Sequence, residues 1–396
     1  MRTIGVVTVA RSDYGPYLPI LRRIQADPDL RLHLIVGGMH LSPEFGLTAE
    51  AIRQDGFDIA ERVEMTLSSD SPEGVAKSMG LGTIGFAHVY GRLLPDILVV
   101  LGDRSEMHAA VVAAVPFRVP VAHIHGGEST GGAIDESFRH SITKMSHLHF
   151  VSTETYARRV IQMGEEPWRV VVGGAPSLDN LANIRLLSAR ELGEQEGVDL
   201  SEPGLLATFH PATLEYESTE THMKELLAAL EAAGLPIVFT YPNADAKGRL
   251  IIDQIRKFAA GYHRARVLPN LGTQAYFSLM SHALAMVGNS SSGIIEAASF
   301  KLPVVNIGDR QRGRVRGKNV IDTGYSRAEV LAGIEKVTSS RFRDGLHDLE
   351  NPYGDGNATE RIVNTLKQVK LNHDLIRKSF YQSGVAQEQQ PAPVGA

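Results

Sequence analysis

The chain of 396 residues is 43% hydrophobic and 21% charged, which is typical of a globular protein with two domains of ordinary size. Its formal net charge of -5 gives no general attraction for nucleic acid or an anionic membrane, so any phosphate recognition has to be local. The sequence contains no cysteine, which excludes disulfides, thiolate metal sites and a cysteine nucleophile.

The N-terminal residues lead directly into a strand-like run and lack the pattern of a signal peptide. No apolar segment approaches the roughly 20 residues that a membrane-spanning helix needs. We therefore expect a cytoplasmic protein with neither a membrane nor a nucleic acid as partner.

In the first half of the chain, short β-branched runs bounded by glycine alternate with segments of helical apolar spacing. Strands are predicted at 3–9, 30–36, 58–62, 97–101, 119–122, 147–152 and 170–172. Helices are predicted at 17–24, 48–54, 74–93 and 153–163. This alternation predicts βαβ units wound into a parallel sheet, which we assign to an N-terminal Rossmann-like domain over residues 1–180.

Arg11 stands where the first predicted strand gives way to the first helix. A helix N-terminus attracts phosphate, and an arginine adds a bidentate donor there. The alternative interpretation is a solvated loop arginine that pairs with Asp13.

The stretch from Ile97 to Phe150 concentrates the ionisable residues. One buried-type strand ends at Asp103-Arg104, and the next ends in His123-Ile124-His125-Gly126-Gly127-Glu128. Ligands bind at the carboxyl ends of strands in open α/β sheets, so the two loops are expected to meet at one edge of the sheet. Asp103 and Glu128 are candidate acids or bases, because burial and nearby charge tune carboxylates at such positions.

Further ionisable residues follow this stretch of loops. Asp135 and Glu136 either join the same site or only cap the helix that starts there. Several histidines invite a zinc site, but their spacing matches no ligand pattern such as HExxH, so we expect no metal. These histidines are His123, His125, His140, His147 and His149.

The second half repeats the α/β pattern after a predicted linker at 177–192. Strands are predicted at 204–209, 236–241, 265–268, 283–287 and 303–308, and helices at 218–234, 248–260, 273–282, 294–300 and 357–369. We assign residues 181–356 to a second Rossmann-like domain. The last helix, extended to residue 380, is expected to pack back on the first domain. The Gln- and Pro-rich tail at 381–396 is expected to be disordered.

The segment Gly288-Asn289-Ser290-Ser291-Ser292-Gly293 precedes a predicted helix and resembles an anion cradle. It is neither a Walker loop nor a dinucleotide fingerprint, so it indicates phosphate without naming the nucleotide. Glu296 could accept hydrogen bonds from a ribose, and Arg310 could reach the cradle. The alternative for the Ser-rich segment is a simple capped helix. Glu296 would then only complement the helix dipole, and Arg310 would be a solvated loop cation.

His210 ends the first strand of the second half. A lone histidine is more often structural than catalytic. Its place at the expected cleft edge favours a functional role.

Together, these ordered motifs resemble the hydrolysing UDP-N-acetylglucosamine 2-epimerases, which supply N-acetylmannosamine for sialic acid synthesis and whose close relatives feed legionaminic acid. The resemblance runs from the Arg11 loop to about residue 370. It implies an α/β, GT-B-like architecture, in which two Rossmann-like, doubly wound parallel-sheet domains enclose an interdomain cleft. It also implies a homodimer or homotetramer.

The resemblance also implies roles for the candidate residues. Ser290 and Ser291 would hold the diphosphate of a UDP-sugar and Glu296 its ribose. Positive charge would come from Arg11, Arg104 and Arg310, while Asp103, Asp135 and His210 stand at the catalytic positions of the family. Many members carry glutamate where this chain has His125, so the acid or base at that point is either His125 or Glu128.

The implied reaction needs no redox cofactor. A base removes the C2 proton while UDP leaves C1, and water then adds to the resulting 2-acetamidoglycal to give the free 2-epimer. The substrate is UDP-N-acetylglucosamine or, alternatively, UDP-2,4-diacetamido-2,4,6-trideoxyhexose, and a guanine nucleotide remains open. Competing interpretations are a non-hydrolysing epimerase, a GT-B glycosyltransferase and a non-catalytic nucleotide-sugar sensor.

Overall fold

Two parallel β-sheets, one in each half of the chain, form the framework of the protein. The structure, a computed structural model, describes residues 1–43, 46–69, 71–130, 134–211, 216–242, 248–269 and 271–382. Within these residues the first sheet has seven strands in the order β3-β2-β1-β4-β5-β6-β7. They are β1 (Arg2–Thr8), β2 (Leu30–Gly37), β3 (Ile59–Val63), β4 (Ile97–Leu101), β5 (Val121–Ile124), β6 (Leu148–Val151) and β7 (Val170–Val172).

The second sheet has six described strands, all parallel, in the order β10-β9-β8-β11-β12-β13. They are β8 (Leu205–Thr208), β9 (Ile237–Thr240), β10 (Ala265–Leu268), β11 (Ala285–Gly288), β12 (Val304–Ile307) and β13 (Val320–Thr323). The two sheets confirm the predicted pair of Rossmann-like units.

Helices cover both faces of each sheet. In the first half they are α1 (Arg11–Gln25), α2 (Ala49–Gln54), α3 (Pro72–Arg92), α4 (Ser105–Ala114), α5 (Asp135–Met145) and α6 (Glu154–Gln162). Next come α7 (Asp179–Asn183), α8 (Ala189–Glu196), α9 (Thr219–Ala233), α10 (Gly248–Gly261), α11 (Gly272–His282) and α12 (Ser292–Ile295). The last are α13 (Arg327–Thr338), α14 (Ser340–Asp344), α15 (Ala358–Gln368) and α16 (His373–Ile376).

Strand β4 shows how the apolar runs build two cores at once. Ile97 and Val99 join the core beneath α1 and α15, whereas Leu98 and Val100 join the core beneath α3 and α4. Successive side chains of a strand point to opposite faces, so a strand that is covered on both faces has to be apolar at every position.

In each sheet the strand order reverses once, between β1 and β4 in the first and between β8 and β11 in the second. Such a reversal opens a crevice at the carboxyl ends of the two strands, because the helices that follow them pack on opposite faces. The loops that leave these four strands carry Arg11, Asp103, His210 and the Ser-rich segment at 288–293. The topology therefore gathers the predicted site residues at two crevices.

Several predicted elements differ from the structure. Helix α4 went unpredicted because seven of its ten residues are apolar, and it packs against α3 and α5, so its helical periodicity is weak. The short edge strand β13 and the helices α13 and α14 were also missed. The predicted linker at 177–192 contains α7 and the start of α8, and the predicted helix at 294–300 is α12 followed by a separate 3-10 turn.

The C-terminal helix is shorter than predicted. Helix α15 ends at Gln368, where Val369 turns to an extended conformation, and the Asn372 side chain then caps the separate helix α16. Ile362 and Leu366 on α15 belong to the core beneath α1. The disordered tail was predicted at 381–396, and from residue 383 onward it lies outside the described residues. No helix in the described ranges is long and apolar enough to span a membrane.

We expect Gly288→Ala to destabilise the protein strongly. Gly288 has φ +139°, and an added Cβ would lie 1.9 Å from the carbonyl oxygen of Thr208 on the neighbouring strand. The backbone strain and the clash predict a loss of roughly 3 kcal/mol or more in the free energy of unfolding, measured by urea denaturation.

Gly80→Ala is the matched control, because Gly80 is an exposed helical position where an added methyl group would meet no other atom within 4 Å. Alanine there should be neutral or stabilise the protein by up to about 1 kcal/mol. Equal unfolding energies for both variants would contradict the close approach of β8 and β11.

Candidate active site

A cavity of about 600 Å³ lies between the two halves, and its walls follow strands of both sheets. This volume falls within the roughly 300–1,000 Å³ of typical small-molecule sites. The lining residues that matter below are Arg11, Met39, Thr48, Arg104, Ser177, Thr208, His210, Tyr276, Ser290, Ser292 and Glu296.

The Ser-rich segment after β11 forms part of the second-half wall. The hydroxyl oxygen of Ser290 accepts a hydrogen bond from the backbone N–H of Ser292 at 3.3 Å. Ser291 stands at the N-terminus of α12, and its carbonyl accepts bonds from that helix. The Tyr276 hydroxyl bonds with Ser290 and Ser292, and burial raises its pKa to about 12. The hydroxyl-bearing residues Ser290, Ser292 and Tyr276 therefore line the cavity, whereas Ser291 is not among its lining residues.

His210 is fixed by its neighbour across the sheet crevice. Asn289 is fully buried. Its side-chain amide accepts a hydrogen bond from the backbone N–H of His210 at 2.7 Å and donates one to the backbone carbonyl of His210 at 2.9 Å. Burial first, and the charge of Arg310 second, hold the pKa of His210 well below its ordinary value. The imidazole is therefore neutral near pH 7 and can act as a base or a neutral donor.

Arg310 lies against the backbone of the cradle. Its guanidinium donates to the Asn289 carbonyl at 3.1 Å, and the Gln311 amide donates to the same oxygen at 2.8 Å. Arg310 is not among the residues that line the cavity. Its positive charge therefore lies beside the backbone of the cradle and not in the cavity wall.

Glu296 joins the two halves. Ser177, which follows the first sheet, donates its hydroxyl hydrogen to Glu296 Oε1 at 2.6 Å. Burial raises the pKa of Glu296 above its ordinary value, although hydrogen bonds from Ser177 and Ser292 oppose the shift. Its carboxyl group lines the cavity, so it is placed to accept hydrogen bonds from a ligand.

Arg139 on α5 organises the charged loops of the first half. Its guanidinium bonds the Asp103 carboxylate, Glu136 Oε2 at 2.6 Å, the Thr130 hydroxyl at 2.7 Å and the Glu128 carbonyl at 3.0 Å. The side chain is 1% exposed. The buried cation therefore fixes Asp103 after β4 and the loop after β5 relative to each other.

His125 and Glu128 form a pair within the loop after β5. His125 adopts a left-handed backbone with φ +66°, and its Nδ1 lies 2.6 Å from Glu128 Oε1 and 3.0 Å from the Ser152 hydroxyl. Glu128 is buried and also lies 3.2 Å from the guanidinium of Arg314. Burial favours its protonated form, but the charges of His125 and Arg314 prevail and hold the pKa of Glu128 well below its usual range.

Asp135 and Glu136 have different surroundings. Asp135 is the first residue of α5 and is half-buried. Glu136 reaches back to the preceding loop and accepts bonds from the Thr130 N–H at 2.9 Å and the Ser129 hydroxyl at 3.0 Å. Although burial opposes it, hydrogen bonds from His140 and Thr130 and the charge of Arg139 lower the pKa of Glu136 to about 2. Glu136 therefore braces the loop as an anion.

Arg11 and Arg104 bring positive charge to the first-half wall. Arg104 Nη2 lies 3.1 Å from Met39 Sδ, and its Nε lies 3.5 Å from Glu106. Asp13, which was the alternative partner of Arg11, instead accepts bonds from the Val9 N–H at 2.7 Å and the Thr8 hydroxyl at 3.1 Å. Burial raises its pKa to about 6.

Three of the histidines considered as zinc ligands have structural partners. His123 donates to the Gly102 carbonyl at 2.8 Å and lies 3.1 Å from the Thr143 hydroxyl. His149 lies 2.9 Å from the buried Glu165, and His147 Nδ1 accepts the Val121 N–H at 3.1 Å. Across the described residues, no three His, Asp or Glu side chains are grouped as a metal site.

Eight of the eleven predicted site residues fall into two groups, whereas Ser291 and Asp135 stand at helix N-termini and Arg310 bonds the backbone of the cradle. Those in the cavity wall are Arg11, Arg104, His210, Ser290 and Glu296. Those in the charged cluster beside it are Asp103, His125 and Glu128, and Glu296 lies near enough to feel the charge of His125. The residues that sequence reasoning missed are Arg139, Asn289, Gln311 and Arg314.

Comparison with known proteins identifies the family of the chain. The sequence model of the UDP-N-acetylglucosamine 2-epimerase family matches residues 22–367. The chain therefore belongs to that family. A GDP/UDP-N,N'-diacetylbacillosamine 2-epimerase (hydrolyzing) of Campylobacter jejuni is 40% identical, covering 96% of this chain and 98% of the relative. A UDP-N,N'-diacetylbacillosamine 2-epimerase (hydrolyzing) of Legionella pneumophila is 35% identical, with 96% and 99% covered.

Another relative, a UDP-N-acetylglucosamine 2-epimerase of Neisseria meningitidis, is 33% identical over 96% of this chain and 99% of its own. Among solved structures, a UDP-GlcNAc 2-epimerase from Neisseria meningitidis bound to UDP-GlcNAc has a TM-score of 0.80 at 18% identity, covering 92% of this chain and 99% of that chain. This likeness shows the shared GT-B-like fold.

We expect the charged cluster to make stability fall in acid. The folded-state pKa values of Glu128 and Glu136 are lowered, so their contribution is present above the ordinary value of about 4.5 and is lost as pH falls toward 2. Urea unfolding measured across this window should give a steep decline for the native protein and a shallower one for Glu136→Gln.

Glu231→Gln, which alters an exposed side chain on α9, is the control and should keep the native slope. If Glu136→Gln also keeps that slope, Glu136 does not brace the loop as an anion.

Proposed function

We propose that the protein is a hydrolysing 2-epimerase that converts a UDP-linked 2-acetamido sugar into the free 2-epimer and UDP. The observation that carries the proposal is the juxtaposition of two chemistries at one cavity. An anion cradle with Glu296 stands on one wall, and the Asp103–His125 cluster stands beside the other.

In this proposal the nucleotide binds the second half. The hydroxyls and amides of Ser290 and Ser291 hold the diphosphate, and Glu296 accepts hydrogen bonds from the ribose. Arg11 and Arg104 line the opposite wall and neutralise the charge that grows on the departing UDP. Arg310, which donates to the Asn289 carbonyl, adds positive charge beside the cradle.

The reaction proceeds in two halves. A base takes the proton from C2, the electron pair forms the C1–C2 double bond, and the C1–O bond breaks with UDP leaving. Water then adds its oxygen to C1 of the 2-acetamidoglycal while a proton returns to the opposite face of C2. Proton transfers on both faces require at least two positioned groups, each worth roughly 10²–10⁴-fold in rate.

Asp103, Asp135 and His125 are the groups we assign to these transfers, with neutral His210 donating a hydrogen bond to the leaving phosphate. Glu128 was the alternative to His125. Its lowered pKa and its buried ion pair with Arg314 make it a poor proton carrier, so we assign it the task of orienting His125.

For the sugar we propose a UDP-2,4-diacetamido-2,4,6-trideoxyhexose, that is, UDP-N,N'-diacetylbacillosamine. The relatives at 40% and 35% identity are named for this sugar, whereas the relative at 33% identity is named for UDP-N-acetylglucosamine. UDP-N-acetylglucosamine, with N-acetylmannosamine as product, is the second candidate. We expect the enzyme to work in the cytoplasm as a homodimer or homotetramer, without a metal or redox cofactor.

An NMR time course in deuterated water with each sugar nucleotide tests the proposal. We expect UDP and the free 2-epimer to appear together with deuterium at C2, faster from the diacetamido sugar. Accumulation of a UDP-linked epimer would indicate the non-hydrolysing reaction. UDP release that depends on an added acceptor would indicate a glycosyltransferase, and binding without turnover would indicate a sensor.

Substitution of the assigned groups should separate chemistry from binding. We expect Asp103→Asn and His125→Asn each to lower kcat by at least about 100-fold and to change UDP affinity little, because neither residue belongs to the nucleotide cradle. Steady-state kinetics and calorimetric titration of UDP measure the two effects. His88→Asn on the exposed face of α3 is the control. Near-native kcat in both site variants would refute the assignment.

A further inference from the structure

The segment from Asp309 to Arg316, called here the bridging segment, belongs to the second half but contacts the first. It connects β12 to β13. Arg314 lies in its second half and has a side chain that is 11% exposed, with Nη1 3.2 Å from Glu128 Oε2. Its Nε also donates to the Ser129 carbonyl at 3.1 Å. A residue between two strands of the second sheet thus contacts the loop that carries His125.

The start of the bridging segment is fixed to the nucleotide cradle. Gln311 is buried and donates to the carbonyl of Asn289, the residue directly before Ser290, at 2.8 Å. Arg310 donates to the same oxygen at 3.1 Å. These two hydrogen bonds therefore tie the position of the bridging segment to that of the cradle backbone at residue 289.

The end of the segment is equally fixed. The N–H of Val315 donates to the Tyr156 hydroxyl at 3.0 Å, and the Val315 carbonyl accepts from the Tyr353 hydroxyl at 3.0 Å. The two hydroxyls lie 2.8 Å apart and are buried. Both backbone groups next to Arg314 are thus satisfied inside the protein, which restrains the guanidinium.

These contacts form one connected path. It runs from the cradle carbonyl of Asn289 through Gln311 and Arg314 to Glu128 Oε2, and Glu128 Oε1 holds His125 Nδ1. We propose that Arg314 is a positioning residue for the reaction, which orients His125 through Glu128 relative to the nucleotide cradle. This inference rests on the proposed function, since it assigns Arg314 to the same site.

Charge alone would not require this arrangement. Glu128 already has the imidazole of His125 as partner, and the carbonyl of Glu128 already binds Arg139. The guanidinium donates to the Ser129 carbonyl through Nε while its Nη1 forms an ion pair with Glu128, whereas an ammonium group offers a single point of charge. Lysine at position 314 should therefore keep the charge and lose part of the alignment.

The test compares Arg314→Lys and Arg314→Met with Arg312→Met. Arg312 lies in the same segment but is exposed, and its guanidinium is 4.0 Å from Asp309. We expect kcat to fall about 30-fold or more in Arg314→Met and about 5-fold in Arg314→Lys, with UDP affinity within about threefold of native. Arg312→Met should stay within about twofold in both.

A double-mutant cycle with Glu128→Gln identifies the route. If Arg314 acts through Glu128, the double variant Glu128→Gln/Arg314→Met should lose little more kcat than the worse single variant. Additive losses would overturn the proposal, as would a native kcat in Arg314→Met. A parallel loss of UDP affinity and melting temperature would assign Arg314 a purely structural role and also overturn it.

If Arg314→Met does not fold, Arg314→Lys tests the positioning role on its own. A native kcat in a folded Arg314→Lys protein would refute that role. The native protein tests the proposed function separately. If it neither binds UDP nor releases a free sugar, the proposed function fails, whereas native turnover with an indifferent Arg314 refutes only the positioning role.

Discussion

The buried guanidinium of Arg139 is the interaction on which the site depends. Three carboxylates in the same small region would repel each other and resist burial without a cation among them. Arg139 donates to the carboxylates of Asp103 and Glu136 and to the backbone carbonyl of Glu128. The loop after β4, the loop after β5 and helix α5 therefore share one donor group. Removing one partner of such a buried network costs about 3–5 kcal/mol, because the remaining charges stay buried without compensation.

The sheet topology decides where this cluster stands. Strand order reverses at β1/β4 and at β8/β11, and the residues that follow these four strands supply both walls of the cavity. The first reversal presents Asp103 and two arginines, and the second presents hydroxyls and a neutral histidine. Each half alone would bind only part of a nucleotide sugar. The proposed reaction uses both sets, because bond cleavage at C1 and proton transfer at C2 take place on one sugar ring.

The sequence predicted the residues at strand ends well, because an apolar run that stops abruptly marks both the strand and its functional edge. Asp103, His125, His210 and Ser290 follow strands as predicted. Residues whose role depends on a distant partner escaped prediction. Arg139 has the helical spacing to Glu136 of an ordinary surface ion pair, and only the three-dimensional structure shows it to be buried.

Arg314 was missed for a related reason. It lies in a run rich in Arg and Gly that resembles a solvated basic loop, and its partner Glu128 is 186 positions away by the difference of their residue numbers. Helix α4 escaped for the opposite reason, since seven of its ten residues are apolar and a mainly apolar sequence weakens the periodicity that identifies a helix. Local pattern predicts which side chains are available, while long-range packing decides which of them become partners.

The chain also crosses back on itself, with a consequence for its synthesis. Arg2 at the start of β1 donates to the carbonyls of Leu366 and Val369, and α15 completes the core beneath α1. During translation the first sheet therefore emerges long before the helix that covers it. At about 5–20 residues per second, the nascent first half waits on the order of ten seconds or more with part of its apolar surface uncovered. The second half, whose elements are consecutive, can fold within that interval.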